Sequence, residues 1–521
     1  MRQEVVWVLM LALGLRFGAA LAVQSYLDRA GRDFLIPGDA GGYWELGQKI
    51  ANGEPYAAHH PPRRVMRMPG YPAFLALSIK LFGERLIGVR LLQAAVGAIA
   101  CWFVFLLGRE LIDERTGLVA AALTAVMPTF VGFGALALTE TLFAATLLAS
   151  LLPLAVLTRS WPRLRSAGSN RESGDVIETK AASPDSSSPN DGLGTPSDGD
   201  DAMPESIARP RWAVANLAGI SLAIAVYVRP SWLLVAPGFC VLHCLAAIIG
   251  ARRSKAGTTG ASGRVSMSQV PTPDSSQALP GRKGRLQIAV LESVAIFAGV
   301  AVALLPWTLR NRAITGHPIV TTLWVGPSLY DGLNPDATGN SDMQFFERDH
   351  LLGSMSEYEM DREYRRRAWS FAGEHPGRAV TLGFAKLLRY WKPWPNAEQF
   401  RSWWMCFGMA DLYLAVFGGA IAGIWKLRRD FRCLLLTAVP ILYFAAIHSV
   451  FVGSLRYRLP AEYPLMILTA VGLLALADRF HISIPGLSDA GATASDSTAT
   501  ASDSMATADT SSSLMTGGAA C

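Results

Sequence analysis

The chain has 521 residues, of which 51% are hydrophobic and 17% charged, and its mean hydropathy is +0.28. Apolar runs of membrane length alternate with polar stretches, which is typical of a polytopic membrane protein and not of a string of soluble domains. The net charge of +6 lies mostly in short loops, so it indicates membrane topology and no nucleic-acid partner. Most of the six cysteines fall inside apolar runs, where we expect them to pack as small core residues.

Ten apolar segments are predicted to span the bilayer, at 4–23, 87–108, 117–133, 136–157, 212–228, 231–250, 286–306, 402–425, 433–451 and 458–477. The first segment is expected to be an uncleaved anchor, because Arg16 interrupts its apolar run. Tyr71–Phe82 is apolar but too short to cross, and we expect it to lie at the interface. The predicted fold is therefore an all-α bundle of about ten transmembrane helices, with amphipathic interfacial helices in the loop after the first span.

The short loops rich in Lys and Arg set the predicted orientation. With ten spans, these loops and both termini fall on one side of the bilayer, which we assign to the cytoplasm; the loops are "RSWPRLRS", "ARRSK", "GRKGR" and "KLRRDFR". The first long loop (24–86) and the second long loop (307–401) then lie on the outer side. We expect a multi-pass protein of the cytoplasmic (inner) membrane with its functional groups on the outer, periplasmic face.

Composition also divides the chain into ordered and disordered parts. Stretches rich in Ser, Asp, Gly and Pro cannot bury enough apolar surface to fold, which predicts disorder at 159–211, 251–285 and 479–521. The ordered parts are then an N-terminal catalytic module at 1–158, a transmembrane pair at 212–250, and a C-terminal module at 286–478.

The stretch "GDAGGYWELG" in the first long loop places Asp39 before a short amphipathic helix. Asp39 can cap that helix or act chemically, and the residues alone leave both roles open. Gly41 and Gly42 allow a substrate to approach the backbone closely, and Tyr43 follows them.

Arginines precede the turn "RMPGYPAF", in which Tyr71 begins the interfacial helix. Arg64 and Arg67 can contact lipid headgroups or clamp a phosphate, for which the guanidinium fork is suited. His59 and His60 have no acidic or cysteine partner nearby in the sequence, so we expect loop residues and no metal site.

Further ionisable residues stand at the outer ends of predicted spans. Glu140 lies in "LALTETLF", and an ionisable group at membrane depth indicates function, although it can also snorkel or pair with an Arg. Basic residues at other span ends can be interfacial anchors. All these groups fall on the outer side of the predicted bundle, so we predict that two acids, several arginines and several aromatic residues form one site there. The basic and aromatic residues at these span ends are Arg229, Arg310, Arg456, Tyr457 and Arg458.

In this order and spacing the motifs resemble the GT-C integral-membrane glycosyltransferases, specifically the bacterial relatives of protein O-mannosyltransferases and of lipid A aminoarabinose transferases. The motifs are "GDAGGYWELG", "RMPGYPAFLAL", "LTETLF", "VRPSW", "PWTLRNRAITG" and "RYRLPAEYP". They cover the ordered chain to about residue 478, and each is short.

The resemblance implies a polyprenyl-phosphate donor carrying one sugar, and an acceptor that is a lipid, a glycan or a protein. It implies that Asp39 acts as the base or stabilises charge at the sugar carbon, and that Glu140 is a second catalytic acid. The arginines that it implies bind the donor phosphate are Arg67, Arg64, Arg229, Arg310 and Arg458. The residues that it implies form the substrate pocket are Gly41, Gly42, Tyr43, Tyr71 and Tyr457. The resemblance implies no metal and no other cofactor.

Two other classes of function stay open. A lipid-linked polysaccharide polymerase or ligase also uses polyprenyl carriers but needs no acid in the first long loop. A lipid or sugar transporter would place charges inside the bundle and show paired halves, and the sequence has no evident halves.

Overall fold

The computed structural model describes residues 3–161, 210–258, 282–396 and 402–482. The segments predicted to be disordered at 159–211 and 479–521 lie almost entirely outside these ranges, whereas 251–258 and 282–285 of the second segment are described and helical. Where their edges are described, the helix that begins at Val235 continues to Thr258, eight residues into the second segment.

Within the described ranges the chain forms nineteen α-helices and no β-strand. They are α1 (Gln3–Ala30), α2 (Pro37–Asn52), α3 (Gly70–Phe82), α4 (Leu86–Leu111), α5 (Glu114–Val126), α6 (Pro128–Gly134), α7 (Glu140–Leu157), α8 (Arg211–Val228), α9 (Val235–Thr258), α10 (Arg282–Thr315), α11 (Val325–Gly332), α12 (Phe345–Asp349), α13 (Leu351–Ser354), α14 (Glu357–Glu374), α15 (Pro376–Trp391), α16 (Trp403–Lys426), α17 (Phe431–Thr437), α18 (Val439–Val450) and α19 (Leu455–Arg479).

Eight of the described helical segments are long and apolar enough to cross a membrane, and two bent pairs raise the number to as many as ten. The pair α5–α6 bends by 59° and the pair α17–α18 by 48°. Each second helix carries a proline in its first turn, where the missing N–H breaks helical continuity. This arrangement confirms the predicted all-α, multi-pass fold, with two of the ten predicted spans broken.

Glycines let spanning helices pack backbone against backbone. A Cβ atom on Gly219 of α8 would lie 2.1 Å from the carbonyl oxygen of Ile296, and one on Gly299 of α10 would lie 2.4 Å from that of Asn216. Small residues at such crossings allow the van der Waals contact that drives helix association in lipid. The α8–α10 contact holds the end of α8 that leads to Arg229.

The first long loop forms two helices that pack on each other. In α2, Leu46 is buried while Tyr43 and Trp44 are partly buried, as the amphipathic pattern predicts. Asp39 does not cap α2, because Ile36 holds the cap position and Pro37 begins the helix. The capping role that the sequence left open is therefore wrong: Asp39 is the third residue of α2, and its side chain is directed to two arginines.

Contacts divide the chain into two compact units, 1–472 and 473–521. The described part of the second unit is the end of α19 and three residues beyond it. All residues discussed below belong to the first unit.

Candidate active site

Asp39 lies between two guanidinium groups that come from opposite ends of the chain. Arg67 donates from Nη2 to Asp39 Oδ1 at 3.0 Å, and Arg456 donates from Nη1 to Asp39 Oδ2 at 2.9 Å. The Asp39 side chain nevertheless keeps 39% of its surface exposed, whereas both arginines are largely buried. The carboxylate is thus accessible from solvent while its charge is fully paired.

Glu140 is a second carboxylate held by two arginines. It begins α7 and is completely buried, and its Oε1 accepts from Arg229 Nη2 at 2.6 Å and from Arg456 Nε. Arg229 also donates from Nε to Thr139 Oγ1 at 3.1 Å. Among the described residues no donor reaches Glu140 Oε2. A buried carboxylate oxygen without a donor is costly, which makes it a candidate to receive a substrate hydroxyl.

Arg456 joins the two halves of the cluster, because its guanidinium contacts both Asp39 and Glu140. It lies in the first turn of α19, directly after the non-helical segment 452–454. The planar fork of arginine can serve two carboxylates at once, which a lysine ammonium does less well. Three guanidinium groups face two carboxylates in the cluster, so one positive charge remains to attract an anion.

Aromatic side chains line the cluster. The Arg67 guanidinium lies 4.2 Å from the ring centre of Tyr43, which meets Tyr71 edge to face at 5.2 Å. Tyr457 lies beneath Arg229 at 5.4 Å and stacks on His448 at 4.4 Å. These contacts fix the arginines by cation–π attraction and packing.

Of the glycines near the cluster, Gly70 is the one whose missing side chain permits a close approach of two backbones. A Cβ atom on Gly42 would lie 3.5 Å from Arg67 Nη2, which is ordinary contact, while one on Gly41 would meet nothing within 4 Å. A Cβ atom on Gly70 would lie 2.5 Å from the carbonyl oxygen of Tyr227. Gly70 therefore lets α3 approach the end of α8, which brings Arg67 and Arg229 to the same side.

The electrostatics of Asp39 follow from its neighbours. Burial alone would raise the pKa of Asp39, but the charges of Arg456 and Arg67 and their hydrogen bonds outweigh it and lower the pKa to about 2. A carboxylate stabilised in this way is ionised at neutral pH but is a weak proton acceptor.

Two of the predicted phosphate-binding arginines lie in another cluster, where the two long loops meet. Arg310 donates from Nη1 to the carbonyl oxygen of Arg64 at 3.1 Å and stacks 4.5 Å over the ring of Trp307. Glu357 accepts from the backbone N–H groups of Arg64 and Val65, both at 2.9 Å. In the described structure Arg64 and Arg310 contact neither Asp39 nor Glu140, and they join the loops together instead.

Arg458 is also separate from the cluster, although it lies only two residues after Arg456. Its fully buried guanidinium pairs with Glu462 and donates to the carbonyl oxygens of Tyr390 at 2.8 Å and Lys392 at 3.3 Å. Two residues on a helix differ by about 200° in direction, so Arg456 and Arg458 cannot face the same site. Arg456, noted in the same motif, is the arginine of the two that contacts Asp39 and Glu140.

In the described ranges no group of three His, Cys, Asp or Glu side chains is arranged to hold a metal ion. The described cysteines form no disulfides, and Cys101, Cys240 and Cys433 are buried, as their apolar context predicts. The site thus offers carboxylates, guanidinium groups and aromatic rings for its chemistry.

Comparison with known families gives one match. Residues 59–164 match the family described as "Dolichyl-phosphate-mannose-protein mannosyltransferase". The match covers about a fifth of the chain and includes Arg67 and Glu140. No curated protein sequence matches the chain.

Solved structures show distant likenesses. The oligosaccharyltransferase AglB from Archaeoglobus fulgidus, in complex with an inhibitory peptide and a dolichol-phosphate, aligns at 13% identity and a TM-score of 0.45 over 92% of this chain and 51% of that one. This chain thus spans about half the length of AglB. ArnT from Cupriavidus metallidurans, bound to undecaprenyl phosphate, aligns at 13% identity and a TM-score of 0.35 over 92% of this chain and 81% of that one.

The family match makes residues 59–164 similar to the protein mannosyltransferases, and the described helices, ten of which at most are long and apolar enough to cross a membrane, agree with that similarity. This confirms the resemblance that the sequence motifs predicted.

Proposed function

We propose that the protein transfers a single sugar from a polyprenyl phosphate to an acceptor hydroxyl at the outer face of the cytoplasmic membrane. The observation that carries the proposal is the contact of Arg456 with both Asp39 and Glu140. It unites one accessible acid, one buried acid and three arginines at a single place. Such a site suits a reaction that moves a proton and expels a phosphate.

The arginines would receive the donor phosphate. Arg67 and Arg456 already hold a carboxylate anion in charge-assisted hydrogen bonds, and phosphate oxygens fit the same fork geometry. Neutralising the charge that develops on the phosphate makes it a better leaving group. The family that matches residues 59–164 has a lipid phosphate donor in its name, which agrees with this role.

Donor binding would also activate Asp39. While both arginines pair with Asp39, its pKa is about 2 and it accepts protons poorly. When the phosphate takes the arginines, burial becomes the dominant influence and the pKa of Asp39 rises. The base therefore becomes effective only after the donor has bound, which limits wasteful hydrolysis.

The bond changes balance as follows. The acceptor oxygen forms a bond to the anomeric carbon of the sugar, and the bond from that carbon to the phosphate oxygen breaks. The electron pair leaves with the phosphate as polyprenyl phosphate, next to Arg67 and Arg456. The proton of the acceptor hydroxyl passes to Asp39 and from there to solvent, to which Asp39 is exposed.

The sugar would lie between the two acids. Glu140 Oε2 is buried and available to a sugar hydroxyl. Open space beside Gly41, together with the rings of Tyr43, Tyr71 and Tyr457, forms the proposed pocket. Whether the sugar is a hexose or a pentose depends on the hydroxyl pattern that this pocket accepts.

The outer location follows from the predicted orientation. The site is built from the first long loop and from span ends that fall on the same side, opposite the short loops rich in Lys and Arg. Membrane lipids would surround it, and the amphipathic helices of the first long loop would hold it at the level where a lipid presents its phosphate.

A reconstitution experiment tests the proposal. The purified chain in liposomes is given polyprenyl phosphates carrying labelled hexoses or pentoses, together with protein, glycolipid and polysaccharide acceptors. Transfer of a single labelled sugar to one acceptor, with release of polyprenyl phosphate, is the expected result. The Asp39→Asn variant should lose this transfer, while Glu45→Gln, a matched change of an exposed acid on the same helix, should retain it.

Two other outcomes would contradict the proposal. Transfer of a preformed oligosaccharide, with no transfer of single sugars, would indicate a polymerase or ligase. Movement of the labelled lipid across the bilayer without chemical change would indicate a transporter.

A further inference from the structure

Helix α15, in the second long loop, exposes an apolar stripe to its surroundings. Val380, Phe384 and Leu388 recur every fourth residue and are 60%, 64% and 70% exposed. Residues at this spacing lie on one side of a helix. The opposite side of α15 is buried and carries Lys386 and Tyr390. Large apolar side chains on one continuous helical face indicate a partner that is apolar as well.

The contacts of α15 indicate that this partner is the bilayer. Near its first turn, Arg378 donates to the carbonyl oxygen of Ala337 in the second long loop at 3.0 Å. At its other end, Tyr390 donates to the carbonyl oxygen of Ile441 at 2.8 Å, and Trp391 meets Phe417 at 5.8 Å. Ile441 lies near the middle of the bent span α17–α18, and Phe417 lies in the second half of the spanning helix α16. The end of α15 therefore lies beside segments that cross the membrane.

Neighbouring residues continue the same apolar surface. The spanning helix α16 begins twelve residues after the end of α15, and its Trp403 and Trp404 are exposed. Tryptophans at the end of a spanning helix are typical of the membrane interface. With three basic residues in sixteen, α15 cannot cross the bilayer itself, so an oblique position in one leaflet is the arrangement that fits its two faces.

We propose that α15 is inserted obliquely into the leaflet on the side of the two long loops, with its C-terminal end deeper than its N-terminal end. Its stripe of Val380, Phe384 and Leu388 contacts the acyl chains of membrane lipids. This proposal does not depend on the proposed reaction.

The buried face of α15 connects this lipid contact to the site. Lys386 donates from Nζ to the carbonyl oxygen of Val450 at 2.6 Å, and Gly453 packs directly on the backbone of Lys386. Asn396, five residues after α15, accepts from the backbone N–H of Leu455 at 3.0 Å. These contacts hold the segment that leads into Arg456, so insertion of α15 helps to position that residue.

Spin-label accessibility tests the insertion directly. The six native cysteines are replaced, and a single cysteine is introduced at Val380, Phe384 or Leu388. Each variant carries a nitroxide on that cysteine and is placed in lipid nanodiscs. Oxygen concentrates among the acyl chains, whereas a nickel chelate stays in water. The ratio of the nitroxide's collisions with oxygen to its collisions with the chelate therefore reports its depth in the membrane. Leu414→Cys in α16 is the membrane reference, and Ser370→Cys in α14 is the aqueous reference; both sites are exposed.

We expect ratios well above that of Ser370, rising from Val380 through Phe384 to Leu388. Ratios equal to that of Ser370 would overturn the lipid contact, and equal ratios along the stripe would overturn the oblique position. Protection from both reagents would show that protein covers the stripe; dipolar broadening would then identify a second copy of the chain, and its absence would identify another segment of the same chain. Either result overturns the proposal.

A second measurement uses the unaltered chain, in case the cysteine-free background does not fold. Phospholipids with a photoreactive diazirine in the acyl chain are activated in nanodiscs that contain the full-length protein. Adducts on the peptide 376–391, at a yield similar to that on α16, are expected. Adducts on α16 with none on 376–391 would overturn the proposal.

Discussion

Arg456 and Asp39 are 417 positions apart in the chain, and the guanidinium of one donates to the carboxylate of the other at 2.9 Å. The contact closes the bundle, because it joins the first long loop to the start of the last spanning helix. The same guanidinium reaches Glu140, so a single residue sets the distance between the accessible acid and the buried acid. Loss of this residue should affect both acids at once.

Arg456→Lys tests this bridging role. An ammonium group keeps the charge but cannot present a planar fork to two carboxylates. We expect donor binding and transition-state stabilisation together to fall by about 2 kcal/mol, roughly thirtyfold in kcat/KM. Labelled-sugar transfer in liposomes measures the change.

Arg310→Lys is the matched control, because Arg310 contacts neither acid among the described residues. It should reduce kcat/KM much less than Arg456→Lys. Equal losses in the two variants would contradict the special position of Arg456.

Glu140→Gln should affect stability as well as activity. The change removes the charge that pairs with Arg229 and Arg456 in a buried place, and breaking such a pair costs on the order of 3–5 kcal/mol. Thermal unfolding in detergent should show a clear fall in midpoint. The exposed pair of Glu45 with Lys49 provides the comparison, since Glu45→Gln should leave the midpoint nearly unchanged. A midpoint in Glu140→Gln close to that of the wild type would contradict the buried charge pairing.

The helical framework could be predicted because the bilayer imposes a length and an apolar composition on every spanning segment. The sequence therefore located ten spans and the short helix that begins near Tyr71. The breaks within two spans were not predicted; Pro128 and Pro440 lie at them, and a proline can also bend a helix without ending it.

The candidate site was predicted in part. Asp39, Arg67, Glu140 and Arg229 each lie next to a turn or a span end, so local sequence signals located them. The choice between Arg456 and Arg458 depended on the rotation of α19, which is set by packing against other helices and has no local signal. Similarly, Glu357 was missed because its role depends on contact between two loops that are far apart in the sequence.

Glu357→Gln should loosen the contact between the two long loops. The carboxylate accepts two neighbouring backbone N–H groups, whereas an amide has a single acceptor oxygen and would turn a donor toward one of them. Hydrogen exchange at residues 63–65 should become faster, and the KM for the donor should rise because Arg67 follows this segment closely. The value of kcat should change less.

Glu363→Gln, on the same helix, is the control for Glu357→Gln. Glu363 pairs with Arg366 and Arg367 on the helix surface and does not reach the first long loop. Unchanged exchange at 63–65 in Glu357→Gln would show that the loops are joined by other contacts.

Asp39→Asn separates chemistry from donor capture. Asn cannot accept the proton of the acceptor, so kcat should fall by roughly two orders of magnitude. The two arginines lose a competing carboxylate, so the donor should bind at least as tightly as in the wild type. Binding of a labelled donor and single-turnover transfer measure the two effects. Transfer at close to the wild-type rate would remove Asp39 from the proposed mechanism.

The pH dependence provides the sharpest test of donor-controlled activation. In the proposed mechanism transfer requires ionised Asp39, so activity should be lost as pH falls through the pKa of this group. In the free enzyme Arg456 and Arg67 hold that pKa at about 2, far below the usual carboxyl value of 3.8. Because kcat/KM reports the free enzyme, it should stay flat as pH falls from 7 to about 4.

The value of kcat reports the complex with the donor, in which the arginines have turned to the phosphate and burial raises the pKa of Asp39. Its acid limb should therefore appear at a higher pH than any limb in kcat/KM. Glu357 also titrates near the first long loop, where burial raises its pKa, so the profile should be repeated in Glu357→Gln. The acid limb could instead appear at the same pH in kcat and in kcat/KM, both in the wild type and in Glu357→Gln. That result would mean that the arginines stay on Asp39 during turnover. In that case Asp39 would stabilise charge at the sugar carbon, and another group would accept the proton.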